Sequence, residues 1–166
     1  MLSTIFPGNV NIRTALPTDF PSTVRIWQEA FGGGGEAAAF LREYYTPAGA
    51  VVAELNGAVI AAAYLVFGAR VLDNAGNARS CPYLYAVAVD KRFRGYGYGK
   101  AIVSFAVRQA FQLGYDCIFT CPERPELFSY YRALGFTQKI SVKKRLFLPA
   151  KWRESIWTLE RGLLLG

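Results

Sequence analysis

Histidine is absent from the 166-residue sequence. Without an imidazole, the chain cannot build a Ser-His-Asp triad, a Cys-His dyad or a histidine metal site. Cysteine is scarce: Cys81, Cys117 and Cys121 are an odd number, and no pair has the two-residue gap of a thioredoxin-like motif. We therefore expect inert thiols and no metal.

The sequence also lacks a long apolar run. Its longest apolar stretch, residues 58–68, falls far short of the ~18 residues that a membrane-spanning helix requires. Pro7, Gly8 and Asn9 interrupt the apolar N-terminus and no basic segment precedes it, which does not fit a signal peptide. We expect a cytoplasmic protein with no membrane partner.

Charged residues make up only 19% of the chain, against 52% apolar and 15% aromatic residues. This composition argues against disorder, and 166 residues suffice for one domain with its own core. We therefore predict a single domain over residues 1–166. Nineteen Lys and Arg against twelve Asp and Glu give a net charge of +7, which favours anionic partners without choosing among them.

The order of periodic segments predicts a mixed α/β fold. A strand at residues 11–15 precedes a helix at 20–31, which the four glycines of residues 32–35 end. A hairpin over residues 51–71 turns at Asn56-Gly57. The remaining predicted elements are helices at 36–45, 97–113 and 125–134, and strands at 83–89, 115–120 and 137–148.

The most informative segment is residues 87–103, VAVDKRFRGYGYGKAIV, in which an apolar strand enters a glycine-rich loop and then an amphipathic helix. The loop contains three alternating glycines: Gly95, Gly97 and Gly99. It is flanked by three cations: Arg92, Arg94 and Lys100. Glycines let backbone N–H groups approach a ligand, and a helix N-terminus favours negative charge, so the segment predicts a pyrophosphate cradle. The alternative, a simple strand-to-helix turn, does not require three cations.

Two common phosphate loops do not fit this segment. A Walker loop requires Ser or Thr after Gly99-Lys100, where Ala101 stands. A Rossmann site has its glycine turn in the first βαβ unit and an acidic residue after the next strand. Here four predicted strands precede the glycines, and Cys121-Pro122 follows the next strand.

The segment instead resembles the signature of the GNAT superfamily of acyl-CoA-dependent N-acetyltransferases, [Arg/Gln]-x-x-Gly-x-[Gly/Ala] at a helix start after a Val-x-Val strand. RGYGYG at residues 94–99 fits that frame, and RFRGYG at 92–97 fits an overlapping one. A second GNAT block, a tyrosine four residues before Gly-Phe, is matched by Tyr131, Gly135 and Phe136. The resemblance covers about the whole domain. It implies a GNAT-like fold, with a central mixed, twisted sheet flanked by about four helices.

The resemblance implies acetyl-CoA as the co-substrate and assigns residues to it. In the family, the strand backbone holds the thioester carbonyl and the pantetheine arm, which places them at Val87, Ala88 and Val89. The pyrophosphate would lie on main-chain N–H groups of Arg94, Gly95, Tyr96, Gly97, Tyr98, Gly99 and Lys100.

Tyr131 resembles the family's general acid, which protonates the departing CoA thiolate. A tyrosine suits this role because its usual pKa, near ~10, keeps it protonated at pH 7. The alternative is that Tyr131 is one more core aromatic beside Phe128 and Tyr130.

The sequence departs from the GNAT pattern at two positions. Many relatives carry an Asn that contacts the cofactor seven residues before the tyrosine; Arg124 stands here and could bind a phosphate. Many also carry a glutamate base early in the fourth strand, where this chain offers Cys81, Tyr83 and Tyr85. Glu54 is either a remote base acting through water or a solvated strand residue.

The resemblance implies an N-acetyltransferase in which a primary amine attacks acetyl-CoA directly in a ternary complex. The alternative is a non-catalytic acyl-CoA-binding or protein-interaction module on the same fold, which the missing strand carboxylate favours. We expect a small-molecule or amino-acid-like amine beside Tyr83 and Tyr85, since a polyamine would need several carboxylates. Basic residues elsewhere are scattered, so no nucleic-acid partner is expected, and a homodimer is left open.

Overall fold

The computed structural model describes residues 9–33, 35–72, 75–145 and 157–166, so the predicted strand end at 146–148 lies outside the described residues. The strands are β1 (Val10–Thr14), β2 (Ala50–Leu55), β3 (Ala58–Val66), β4 (Arg70–Leu72), β5 (Ala78–Ser80), β6 (Tyr83–Val89), β7 (Ile118–Thr120), β8 (Gln138–Arg145) and β9 (Trp157–Leu165). The helices are α1 (Phe20–Phe31), α2 (Glu36–Tyr44), α3 (Tyr98–Gln112) and α4 (Pro125–Ala133). Short 3-10 turns lie at Pro17–Asp19 and Lys91–Phe93.

Among the described residues, seven strands form one mixed sheet in the order β1-β2-β3-β6-β7-β9-β8. The β6–β7 pair is parallel and is connected in the chain by α3, as a parallel pair requires a long crossover. The pairs β1–β2, β2–β3, β7–β9 and β8–β9 are antiparallel. A mixed sheet with helices confirms the predicted fold class.

The chain divides into two compact units: Met1–Leu65 with Ala86–Gln109, and Val66–Tyr85 with Ala110–Gly166. Strand β6 contributes residues 83–85 to the second unit and residues 86–89 to the first. The expectation of a single domain over residues 1–166 stays a prediction.

In the first unit, the apolar faces of α1 and α2 pack with β2 and β3. Trp27 of α1 lies with its ring centroid 5.1 Å from Phe40 of α2 and 5.9 Å from Tyr64 of β3. The β2–β3 hairpin turns at Asn56 and Gly57, with φ of +50° and +81°, as the predicted type I′ turn requires.

Arg13 ties β1 to the start of α1 and to β2. Its guanidinium lies 2.6 Å from a carboxylate oxygen of Asp19 and 2.6 Å from one of Glu54. The nearby Arg13 hydrogen bonds hold the pKa of the buried Asp19 carboxyl below its usual value. Glu54 therefore has a structural partner. This favours a solvated strand residue over a remote base acting through water.

The second unit contains the differences from the predicted elements. Strand β3 ends at Val66, and the β4–β5 hairpin follows where one long strand to residue 71 was predicted. Gly68, at φ +92°, breaks the extended chain between them. Strand β9 was not predicted, because Glu160, Arg161 and Gly162 interrupt its apolar pattern and its order depends on pairing with β8.

No helix among the described segments is long and apolar enough to cross a membrane.

Candidate active site

Strand β6 runs into a turn built on a buried carboxylate, Asp90. The main-chain N–H, Nε and Nη2 of Arg92 donate to the Asp90 side chain at 3.0, 3.1 and 2.8 Å. Nη1 of Arg25 donates from α1 at 3.0 Å, and the Asp90 N–H donates to the Ile60 carbonyl at 2.8 Å. The hydrogen bonds from Arg92, which have the largest effect, and the one from Arg25 hold the pKa of the Asp90 carboxyl well below its usual value. The carboxyl is therefore ionised at neutral pH.

The three cations predicted beside the glycines do not have equal roles. Arg92 forms a two-point ion pair with Asp90, so much of its charge is neutralised within the protein. The Arg94 Nε donates to the Val89 carbonyl at 3.0 Å, while Arg94 itself is exposed. Lys100 is exposed in the first turn of α3. Arg94 and Lys100 are therefore the cations best placed to meet an anionic ligand.

Residues 94–100 form the glycine loop predicted from the sequence. Gly95 and Gly97 take φ of +86° and +87°, a left-handed conformation that favours glycine. A side-chain atom added at Gly95 would meet nothing within 4 Å, so the backbone there is open to an approaching group. The Ala101 N–H donates to the Gly97 carbonyl at 3.1 Å, and α3 begins there.

The two tyrosines of the glycine loop are in opposite environments. Tyr96 is 54% exposed, whereas Tyr98 is 1% exposed in the core of the first unit. Gly99 lies in the first turn of α3. Tyr98 can thus serve a ligand only through its main chain, while the Tyr96 ring is accessible.

Strand β6, which precedes the glycine loop, has an unusual backbone at its middle residue. Ala86 has φ +49°, a left-handed value that a non-glycine residue rarely adopts within a strand. Such strain of about 1–3 kcal/mol persists where the surroundings impose it, and it is concentrated at functional sites. Of the three residues predicted to hold the pantetheine arm, Ala88 is buried, and Val87 and Val89 are half-buried. The Val89 carbonyl accepts from Arg94.

Tyr131 is buried in the second unit, at the C-terminal end of α4. Its ring makes edge-to-face contacts with Tyr130 and Phe136, at centroid distances of 5.1 and 5.7 Å. Burial raises the pKa of Tyr131 to about 12, and the Thr120 hydroxyl opposes this by hydrogen bonding. Thr120 itself donates to the Leu84 carbonyl at 3.1 Å. Tyr131 is thus a buried tyrosine whose phenol stays protonated at neutral pH.

The predicted acceptor residues Tyr83 and Tyr85 lie together on β6 in the second unit. Their ring centroids are 5.2 Å apart, and Tyr83 stacks on Phe119 at 4.9 Å. Arg124 lies at the N-terminus of α4, exposed, with its Nε 3.5 Å from a Glu126 carboxylate oxygen. An exposed pair of this kind is weak, so it neutralises little of the Arg124 charge.

Two of the three thiols are buried. Cys81 and Cys117 are buried, and burial raises the pKa of both thiols above the usual value, so both keep their protons at neutral pH. Cys121 is partly exposed. Within the described part of the chain, no group of three or more Cys, Asp or Glu side chains could hold a metal ion.

Comparison with known families identifies the class of protein. The model of the acetyltransferase (GNAT) family matches residues 20–136, which include the glycine loop and Tyr131. The chain belongs to the GNAT acetyltransferase family. A comparison with curated proteins found no match.

Solved structures show the same fold. A GCN5-related N-acetyltransferase from Kribbella flavida is 17% identical, with a TM-score of 0.68 over 80% of this chain; the match spans only 33% of that protein's length. A GNAT acetyltransferase from Brucella melitensis, in complex with acetyl-CoA, is 19% identical, with a TM-score of 0.62 over 80% of this chain and 85% of that one. Glucosamine-6-phosphate N-acetyltransferase from Arabidopsis thaliana is 19% identical, with a TM-score of 0.64 over 84% and 99%.

Sequence reasoning missed two features of the site. Asp90 was assigned no role, because its partner Arg25 lies 65 residues away and no local pattern connects them. The backbone at Ala86 was also missed, since alanine carries no signal for positive φ. Only the apolar pattern that breaks off at Asp90 could have indicated a special residue there.

If Ala86 is strained, replacing it by glycine should relieve the strain. We expect Ala86→Gly to leave the free energy of unfolding within about 0.5 kcal/mol of the wild type or to raise it, since strain relief offsets the lost methyl group. Ala88→Gly, two residues along the same strand and buried at normal φ, should lose about 1 kcal/mol or more. Urea unfolding of both variants measures the difference, and equal losses would contradict a strained Ala86.

Proposed function

We propose that the protein is an N-acetyltransferase that moves an acetyl group from acetyl-CoA to the primary amine of a small-molecule or amino-acid-like acceptor. The observation that carries this proposal is the glycine loop, with two left-handed glycines between a strand and a helix N-terminus and two exposed cations. Membership of the GNAT family supports the reaction class. The Brucella melitensis neighbour was solved with acetyl-CoA, and the Arabidopsis thaliana neighbour is named for a small amino-sugar phosphate.

The residues present suit the pyrophosphate of acetyl-CoA. An open backbone at Gly95 allows close approach, and the first turn of α3 supplies N–H groups that lack helical partners. Arg94 and Lys100 add positive charge, and Arg124 is a further candidate for a phosphate. The residues of β6 from Val87 to Val89 would hold the pantetheine arm through their backbone.

In the proposed reaction, the acceptor nitrogen attacks the acetyl carbonyl carbon, the new C–N bond forms and the C–S bond breaks. The nitrogen loses one proton and the leaving sulfur gains one, so the products are an N-acetyl amine and the free CoA thiol. Tyr131 is the proposed donor to the sulfur. Its pKa of about 12 keeps the O–H intact over the physiological pH range, and its phenolate would recover the proton released by the nitrogen.

The proposed reaction has no carboxylate base on β6, whose seven residues are Tyr, Leu, Tyr, Ala, Val, Ala and Val. Glu54 is occupied by Arg13. We therefore propose that the acceptor binds as the neutral amine, or loses its proton to water, and that no side chain of β6 acts as the base.

Tyr83 and Tyr85 are the proposed acceptor residues. Their half-buried, mutually packed rings provide an aromatic wall without negative charge, which suits an amine with an apolar or acidic part better than a polyamine. The second candidate function is a non-catalytic acyl-CoA-binding or protein-interaction module, which the absence of a β6 carboxylate favours. We also propose a cytoplasmic location and no nucleic-acid partner, as predicted from the sequence. A homodimer is compatible with this function.

A bulky side chain in the glycine loop should block acetyl-CoA. We expect Gly97→Leu to abolish binding, because main-chain approach is lost. Gly57→Leu is the matched control: Gly57 also has positive φ but lies in the β2–β3 turn, so it carries comparable backbone strain and should retain affinity. Calorimetric titration with acetyl-CoA measures both, with folding checked by circular dichroism. Undiminished affinity in folded Gly97→Leu would refute the cradle.

Removal of the Tyr131 hydroxyl should slow turnover without affecting binding. Tyr131→Phe keeps the ring contacts with Tyr130 and Phe136, so we expect kcat to fall on the order of 10²-fold or more while acetyl-CoA affinity changes little. Tyr130→Phe, the adjacent and more exposed tyrosine, is the control and should retain its rate. Equal rates in wild type and Tyr131→Phe would make Tyr131 a core aromatic only and favour the non-catalytic module.

An acetylation screen tests the acceptor class and separates the two candidate functions. Polyamines, aminoglycosides, amino acids and peptides are offered with acetyl-CoA, and free CoA thiol is measured. We expect amine-dependent release with a small or amino-acid-like acceptor. Preference for spermine or an aminoglycoside would refute the acceptor class and leave the transferase standing, whereas no release with any amine, in a chain that binds acetyl-CoA, would support the module.

A further inference from the structure

The glycine loop is connected to α1 by an ion pair that spans 65 residues of sequence. Nη1 of Arg25, in the middle of α1, lies 3.0 Å from Oδ2 of Asp90. The same Nη1 lies 3.1 Å from Oε1 of Glu29, one helical turn further along α1. Arg92 meets the same Asp90 oxygen from the other side at 2.8 Å. Two guanidinium groups and two carboxylates thus form a charge-balanced chain of ion pairs within the first unit.

Burial makes this group more than a surface ion pair. The Asp90 side chain is 0% exposed, so its charge has left water and depends on its donors. Arg92 supplies three of those donors, but Arg92 belongs to the same turn as Asp90 and its side chain is 67% exposed. Arg25 is the donor that comes from a different element of the fold. It therefore fixes the turn relative to α1, which Arg92 cannot do.

The position of this turn decides where the glycine loop points. Asp90 orients the Arg92 N–H directly, and the Phe93 N–H donates to the Asp90 carbonyl at 2.8 Å. Arg94 follows at once, and its Nε returns to the Val89 carbonyl. A small rotation at Asp90 would thus move the N–H groups of residues 94–97 away from a bound phosphate.

We propose that Arg25 is a positioning residue for acetyl-CoA: through Asp90 it holds the glycine loop in the orientation that binds the pyrophosphate. This inference rests on the proposed function. Arg25 is on α1 and is not assigned to contact the ligand, so its effect is exerted on affinity through Asp90.

Arg25→Met tests this role, since methionine keeps the helical propensity and an apolar stem but removes the donors. We expect the Kd and KM for acetyl-CoA to rise on the order of 5- to 10-fold, while kcat at saturation stays within about twofold. A residue that merely stabilised the fold would not separate KM from kcat in this way. Arg42→Met, on α2, removes the same charge at an exposed site and should change the Kd less than about twofold.

Amide hydrogen exchange of the protein without ligand gives a second, independent measurement. In Arg25→Met we expect faster exchange at residues 92–95 and unchanged exchange in β2 and β3, which shows that the unit remains folded. The inference is overturned if exchange at residues 92–95 is the same in Arg25→Met as in the wild type. It is also overturned if the wild type binds acetyl-CoA and the variant binds it with the same Kd. A wild type that binds no acetyl-CoA refutes the proposed function instead, and the exchange rates still decide whether Arg25 holds the turn.

Discussion

A carboxylate buried away from water requires positively charged hydrogen-bond donors, and the turn between β6 and α3 is organised around such a carboxylate. Asp90 is buried and ionised, and its donors come from its own turn and from α1. Four N–H groups hold the Asp90 carboxylate in this turn, and the glycine loop, with left-handed Gly95 and Gly97, follows it directly. A preorganised phosphate site needs a glycine-rich backbone that is held in place by a rigid neighbouring segment.

The local part of this site was predictable from sequence. Glycines at alternate positions, the strand before them and the helix after them are signals that depend only on neighbours in the chain, and the structure has β6, the loop and α3 in that order. The Asn56-Gly57 turn was predictable for the same reason, because positive φ at two successive positions selects those residues.

The remaining features depend on contacts between residues far apart in sequence. Arg25 reads as an ordinary exposed helix residue until the fold brings Asp90 to it. Arg92 was counted among the cations for a phosphate, but much of its charge is neutralised by Asp90. Strand β9 has a broken apolar pattern and is ordered by its pairing with β8 and β7. Tertiary contacts outweigh local preference in each of these cases.

The proposed site pairs a proposed acid, Tyr131, with a strand β6 that carries no carboxylate. Tyr131 is buried with a raised pKa, and the thiols of Cys81 and Cys117 are protonated at neutral pH, so the phenol is the group suited to meet a departing thiolate. This arrangement favours acceptors that reach the site as neutral amines. We therefore expect turnover to depend more on the proton affinity of the acceptor amine than on the proton affinity of any side chain of β6.

Amide hydrogen exchange with and without acetyl-CoA tests most directly whether the glycine loop and the end of β6 bind the cofactor. We expect acetyl-CoA to slow exchange at residues 94–100 and at residues 87–89, with much smaller changes in β1 and β2. Protection confined to other parts of the chain, or no protection at saturating acetyl-CoA, would contradict this binding mode.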